Sequence, residues 1–442
     1  MQRFAVLMIW LTLSPWLWGQ QLIDARATGM AFSNGAVTTG LGQLGLNPAT
    51  LAMETPYRFE LNLFSGAVGL HNNSFTKSQY DDYLTTGRFL TEQDIEDILN
   101  SIPDNGVRVD FFGGASALSV YVPNFSLAVS GAGSGFSRVP KALFELALRG
   151  NREPGKVYDF GDTEGSGWAG IAIRMSGAYP FPTSEDGMLT FASAGITLKY
   201  LKGLAYGEIT ESSGQIQDSN VSNNNPYVHI SGSLETVSAT GGTGLGVDLG
   251  ALFTLRKDVT VGITLINALG SITWNKEVEK SVFRIRGDSL EIAHILEDLV
   301  EGTYDELPFF GSDPNSRIRE TDTTFSIDEF KTGLPRVLDV ALAYRGVRDL
   351  VITAEYEQGF STNLGGTRKA RLALGLEYRG VPVLPLRAGI SLGGKPGTSL
   401  GLGIGLDVKV WTLDVAFLNH GGIFPGSSSR GLTLALTTRL RL

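Results

Sequence analysis

The chain has 442 residues, 56 of them glycine, and no cysteine, which excludes disulfides, thiol chemistry and cysteine-bound metal. Charged residues make up only 18%, below the share usual in a soluble protein, and 36 basic against 45 acidic side chains leave a net charge of −9. No run of Lys and Arg occurs, so nucleic acid is not an expected partner, because neutralising phosphates needs a basic face.

Residues 1–19, MQRFAVLMIWLTLSPWLWG, read as a signal peptide. Arg3 supplies the positive start, Phe4 to Leu13 the apolar run, Ser14-Pro15 the break, and Gly19 a small residue at the cut. The run is too short to span a bilayer comfortably. Residues 20–55 form the second expected unit. Its centre, ARATGMAFSNGAVTTGLGQLGLNPATLA, is too rich in glycine for a good helix and too irregular for a strand. Small residues let backbone approach a wall closely, so the segment is expected to fold inside a lumen as a plug. Asn47-Pro48-Ala49 reads as a rigid turn in which the Asn side chain bonds nearby backbone. Gly40-Leu41-Gly42-Gln43-Leu44-Gly45 matches a dinucleotide fingerprint only formally, since no strand precedes it and no βαβ pattern follows.

Residues 56–442 are dominated by strict alternation. Leu432, Leu434, Leu436, Leu440 and Leu442 alternate with Thr433, Ala435, Thr437, Arg439 and Arg441. Leu400 to Val408, Leu372 to Tyr378, Leu338 to Tyr344 and Ile171 to Met175 repeat the pattern. Period two gives each strand one apolar and one polar face. The segments run about 10 residues or more, the length of a tilted strand crossing a bilayer. Short and long connections alternate, as in a barrel with short turns at one end and longer loops at the other. The fold class expected is therefore all-β: a transmembrane antiparallel barrel of about 14 strands. Three long connections carry helical patterns: Thr91 to Ile102 with a Thr91/Asp94 capping box, Pro140 to Leu148, and Ser289 to Val300. The connection 281–334 is read as the longest loop.

On the polar faces, Arg371, Glu377, Arg379, Arg387, Asp407 and Arg439 are expected to point into the lumen. Some of them would hold the plug, with Asp24 and Arg26 as its partners. Phe309, Phe310 and Phe325 are the expected lining of a ligand entrance, because clustered exposed apolar residues mark binding sites. His71, His229, His294 and His420 have no metal-ligand spacing, and no nucleophile–base pair is found, so no metal, cofactor or catalytic residue is assigned.

A signal peptide, an A-R-x-x-G-M-A start and the Asn47-Pro48-Ala49 turn before the first strand resemble the long-chain fatty acid transporter (FadL-like) superfamily of outer-membrane barrels. Leu334-Pro335-Arg336 and the stretch Leu384 to Gly405 are similar to its C-terminal half. The likeness is closest to barrels of unknown function in Bacteroidetes-like bacteria. It implies 14 strands, an N-terminal hatch carrying the Asn-Pro-Ala turn, a place in the outer membrane of a Gram-negative bacterium, and transport of a hydrophobic small molecule. The alternative reading is a non-conducting adaptor or scaffold that holds a secreted or surface protein by its loops. Outer-membrane lipid is a partner under either reading.

Overall fold

The computed structural model describes residues 23–150, 155–184, 186–218, 227–291, 318–422 and 426–442. In chain order the strands are β1 (Glu60–Asn72), β2 (Val107–Val122), β3 (Phe125–Val139), β4 (Val157–Asp159), β5 (Glu164–Phe181), β6 (Leu189–Asp218), β7 (Tyr227–Ala239), β8 (Gly241–Leu255), β9 (Val259–Lys276) and β10 (Glu279–Glu291). They continue with β11 (Ile318–Ser326), β12 (Phe330–Gly333), β13 (Val337–Val347), β14 (Leu350–Gly359), β15 (Arg371–Tyr378), β16 (Leu386–Gly393), β17 (Ser399–Asp407), β18 (Trp411–His420) and β19 (Gly431–Arg441).

Fourteen of these close into a barrel. β1, β2, β3, β5, β6, β8, β9 and β13 to β19 pair antiparallel in that order. The ring is completed by β19 against β1, with Leu61 opposite Leu440. In lipid an unpaired backbone group costs several kcal/mol, and a closed ladder leaves no edge inside the bilayer. Among the described residues no helix is long and apolar enough to cross a membrane.

Alternation sets which face each side chain takes. Leu432, Leu434 and Leu436 are 45%, 51% and 39% exposed, whereas Thr433 and Thr437 between them are fully buried. Leu372, Leu374 and Leu376 point outward in the same way, with Ala373 and Glu377 inside. Beside the short turns, Phe125, Tyr179, Phe181, Tyr344 and Tyr378 are exposed together as an aromatic belt, which suits the membrane–water boundary. Those turns use left-handed residues, Asn124, Lys257, Asp349 and Lys409. Lys409 therefore belongs to a turn and not to the inward strand face where alternation alone would put it. Leu442 lies at this end, where it accepts bonds from the amides of Arg58 and Phe59.

At the opposite end the helix Glu92–Ser101 starts with the expected box. The Thr91 hydroxyl accepts from the Asp94 amide at 3.2 Å, and the Asp94 carboxylate accepts from the Thr91 amide at 2.8 Å. Its Ile95 and Leu99 are buried with Ile102 and Val107, and Phe144 and Leu148 of the helix Lys141–Arg149 pack on them. The two helices thus cap each other over the rim.

The sequence reading of 281–334 as one loop is corrected. The second half of β6 pairs with β7, β7 with β10 and β10 with β11, so a sheet continues the barrel wall outward. Only Phe283-Arg284-Ile285-Arg286 alternates, and it is pairing with β7 and β11 that makes the stretch a strand. Ser289 and Glu291 belong to β10, so no helix starts there, and the rest of that expected helix lies outside the described residues.

Candidate functional site

The segment 23–53 folds inside the barrel, in the half nearer the short turns. Nearly every residue in it is buried, and a short helix (Ala25–Gly29) and two 3-10 turns (Gly40–Gln43, Pro48–Ala52) give it what regular structure it has. Local capping explains the positions of the helix and of the second turn. The Asp24 carboxylate accepts from the Ala27 amide at 2.9 Å, and the Asn47 side chain accepts from the Ala49 amide at 2.9 Å. Pro48 opens its turn, where a missing N–H costs nothing.

Wall charges tie the segment down. Arg26 makes a two-point pair with Glu377, Nε to Oε2 at 2.8 Å and Nη2 to Oε1 at 3.0 Å. Asp24 pairs with Arg439. Arg371 donates to the carbonyls of Ala31 and Phe32 at 2.8 and 3.1 Å, and both those residues have left-handed backbone. Gly35 donates to Glu355 at 2.8 Å, Leu41 to Glu60 at 2.6 Å, and the Asn47 amide to the Ala251 carbonyl at 2.9 Å. Bidentate, charge-assisted bonds in a dry interior are the strong kind. Behind them the wall charges hold one another. Arg387 reaches Glu377 and Asp414 at 2.6 Å each, Arg379 reaches Glu377 at 2.9 Å, and Arg379 reaches Asp407 at 3.4 Å.

Glycines in the wall make room for this contact. A Cβ on Gly29 would stand 3.0 Å from the Cα of Gly403, and a Cβ on Gly250 would overlap the Asn47 side chain. Plug backbone meets wall backbone at Gly389 of β16 and Gly401 of β17, and again at Gly195 of β6.

On the outer side of the segment the lumen opens in stages. A chamber of about 120 Å³ rests on Phe32 and is walled by Phe112, Ile266, Val337 and Leu418, with His71, Arg371 and Lys395 at its margin. A smaller apolar hollow of about 40 Å³ adjoins it through Asn267 and Pro335 and is lined by Trp168, Leu201, Ile272 and Leu364. Farther out lies a polar funnel of about 640 Å³, bordered by Arg108, Asp110, Arg138, Glu164, Glu208 and Lys331. His71, Gly366 and Lys395 border both funnel and chamber. On the lipid-facing wall, small residues Gly66, Ala115, Gly131 and Ala169 leave a shallow apolar hollow of about 710 Å³.

The structure brings Asp24, Arg26, Glu377, Arg379, Arg387, Asp407 and Arg439 into one network around the plug, with Arg371 at its outer edge. Phe325 sits on β11 with its ring exposed and lines none of these cavities, because that stretch is a strand of the outward sheet. Phe309 and Phe310 lie outside the described residues. Trp168, Leu364 and Lys395 border the lumen and are not singled out by sequence reasoning. The only signal for them was the Gly393-Gly394-Lys395-Pro396-Gly397 turn, which sets one cation between turn formers. Among the described residues no group of three or more His, Cys, Asp or Glu could hold a metal ion.

The model of a protein family described as DUF5723, a family of unknown function, matches residues 48–413. No curated protein matches the chain. Among solved structures, it is similar to the Ralstonia pickettii toluene transporter TbuX at 14% identity, over 96% of this chain and 99% of that one, with a TM-score of 0.48. It is similar to a Pseudomonas aeruginosa FadL homologue at 13% identity, over 97% and 99%, with a TM-score of 0.44. It is also similar to the CymD monoaromatic hydrocarbon channel at 13% identity, over 96% and 99%, with a TM-score of 0.49.

Proposed function

The chain belongs to DUF5723, a family of unknown function, and we propose that it is an outer-membrane barrel that carries a small hydrophobic molecule inward past its plug. In this reading residues 1–19 are a signal peptide, 20–55 a hatch and 56–442 the barrel, in a Gram-negative outer membrane. The observation that carries it is the chamber of about 120 Å³ directly on the plug, floored by Phe32 and walled by Phe112, Ile266 and Leu418. An engineered cavity of roughly 150 Å³ lined by Leu, Ile and Phe takes up benzene, and this chamber has a similar volume, with Glu357, Arg371, Ser399 and His420 among the polar groups added to its apolar walls. A molecule about one ring wide therefore suits the chamber. Glu355, Glu377 and Arg439 would hold the hatch, Asn47, Pro48 and Ala49 would form its turn, and Asp24 and Arg26 would anchor it. The test is uptake of radiolabelled toluene by cells whose outer membrane carries the chain. Uptake no faster than in cells without it would defeat the reading.

The adaptor reading has one observation in its favour. Among the described residues the outward sheet ends in β11, whose residues 321–326 are all exposed and which pairs there with β10 alone. Such an edge can accept a strand from another chain. Against it stand the cavities, since a barrel serving only as a scaffold needs none.

A further inference from the structure

The loop between β14 and β15 folds back into the barrel mouth. At its tip Leu364 is 4% exposed and has left-handed backbone, φ 46° and ψ 41°. A bulky residue in that conformation is a backbone outlier that persists only where its surroundings over-determine it. Here they do. Its side chain is buried in an apolar cluster with Tyr206, Ile272, Trp274 and Leu334, on which Trp168 and Phe330 pack. The Tyr206 ring lies 5.2 Å from that of Trp274 and 5.1 Å from that of Phe330. The Leu364 carbonyl accepts from the Trp168 indole at 2.9 Å. The next carbonyl, that of Gly365, accepts from Lys395 at 3.0 Å, and Lys395 also reaches Asp110 at 3.3 Å.

Leu364 is also the residue common to the outer funnel and the apolar hollow beneath it. Tyr206 and Phe330 face the funnel, while Trp168 and Ile272 face the hollow. The leucine side chain thus divides the two spaces.

We infer that this aromatic cluster is an outer binding site for an uncharged molecule carrying an apolar group of leucine to phenyl size, and that Leu364 is its built-in occupant. An arriving molecule replaces the Leu364 side chain, the loop swings outward, and the hollow joins the funnel. Relief of the left-handed backbone offsets part of the packing energy given up when the leucine leaves. Lys395 sets how firmly the loop returns, by holding the Gly365 carbonyl. The inference deepens the transport reading and rests on it for the direction of travel, but the binding site stands apart from it.

The test is photolabelling of the full chain in lipid vesicles with 3-trifluoromethyl-3-phenyldiazirine, a small apolar aromatic probe, followed by peptide mapping. Peptides holding Trp168, Tyr206, Trp274 and Phe330 are expected to label weakly in the parent, several-fold more in Leu364→Ala, and less than the parent in Leu364→Trp. Lys395→Met is expected to raise labelling as well, without removing any cluster residue. Outward strand peptides, labelled through lipid, serve as the common reference, and heat-modified gel mobility shows that each variant is folded. Equal labelling of the cluster peptides in the parent and in both Leu364 variants would overturn the site. Cluster labelling that follows Leu364 without any toluene uptake would sustain the site and defeat transport. Toluene uptake with no labelling in the cluster would keep transport and overturn the site.

Discussion

At the residue scale, the plug hangs on a few charged contacts between the N-terminal segment and the wall. Arg26 is the clearest. Reversing it to glutamate would set a carboxylate against Glu377 in a dry interior. Glu377 would keep Arg387 and Arg379 as partners but would lose its two-point bond to the plug and face a like charge there, so the loss falls on the plug and not on the wall. Residues 23–55 are expected to lose protection from hydrogen exchange in Arg26→Glu while the barrel strands keep theirs. Equal protection in both chains would mean that the pair does not hold the segment. Gly403 makes a parallel case by shape. Gly403→Val would put its Cβ 3.2 Å from the Cα of Gly29 and its methyls against the plug, and overpacking typically costs about 1–3 kcal/mol. The same plug peptides are expected to exchange faster in it.

Lys395 carries a pH dependence whose sign runs against intuition. Burial lowers its ammonium to about 8, and Asp110 opposes that only in part, while Arg108 adds to it. With the loop swung out, the lysine would titrate near its usual ~10.4. Between those values opening takes up a proton, so raising the pH disfavours opening. Cluster labelling by the diazirine is expected to fall between pH 7 and pH 9.5, and Lys395→Met is expected to remove the change. A rise over that interval would contradict the assignment.

At the scale of elements, some signals were plain in the sequence and others were not. The Thr91/Asp94 box and the Ile95, Leu99, Ile102 spacing are local chemistry, and the helix Glu92–Ser101 forms where they say. Thr91→Ala is expected to cost about 1 kcal/mol, seen as faster exchange over 92–101 with β1 and β2 unchanged. The alternating runs were equally legible, because period two needs no tertiary partner to be read. The outward sheet was not. Its strands β10 and β11 are polar and short of apolar residues, and what fixes them is pairing with β6 and β7, which only register reveals. Leu364 was hidden for a similar reason. A leucine beside glycines in a loop looks unremarkable until four distant strands bring Trp168, Tyr206, Trp274 and Phe330 around it. The plug charges fall between these cases. Alternation puts them inside, but the match of Arg26 with Glu377 spans 351 positions and depends on strand order.

At the scale of the whole molecule, two solvents meet in one closed sheet. The outer face is apolar and belted with aromatics, while the inner face is charged and filled from below by the chain's own N-terminal segment. Above that filling the lumen stays open in stages, and the proposed inward passage is one that moves the plug. The absence of native cysteine allows a direct test. Ser33 in the plug and Thr353 in the wall are both buried, with their hydroxyl oxygens 2.8 Å apart. A Ser33→Cys, Thr353→Cys chain is therefore placed to form one disulfide that locks plug to wall. The measurement is toluene uptake by cells bearing this chain, oxidised and then reduced. The account predicts uptake near the background of cells without the chain when the disulfide is closed, and recovery when it is opened. Uptake that continues unchanged with the plug locked would contradict passage by way of the plug.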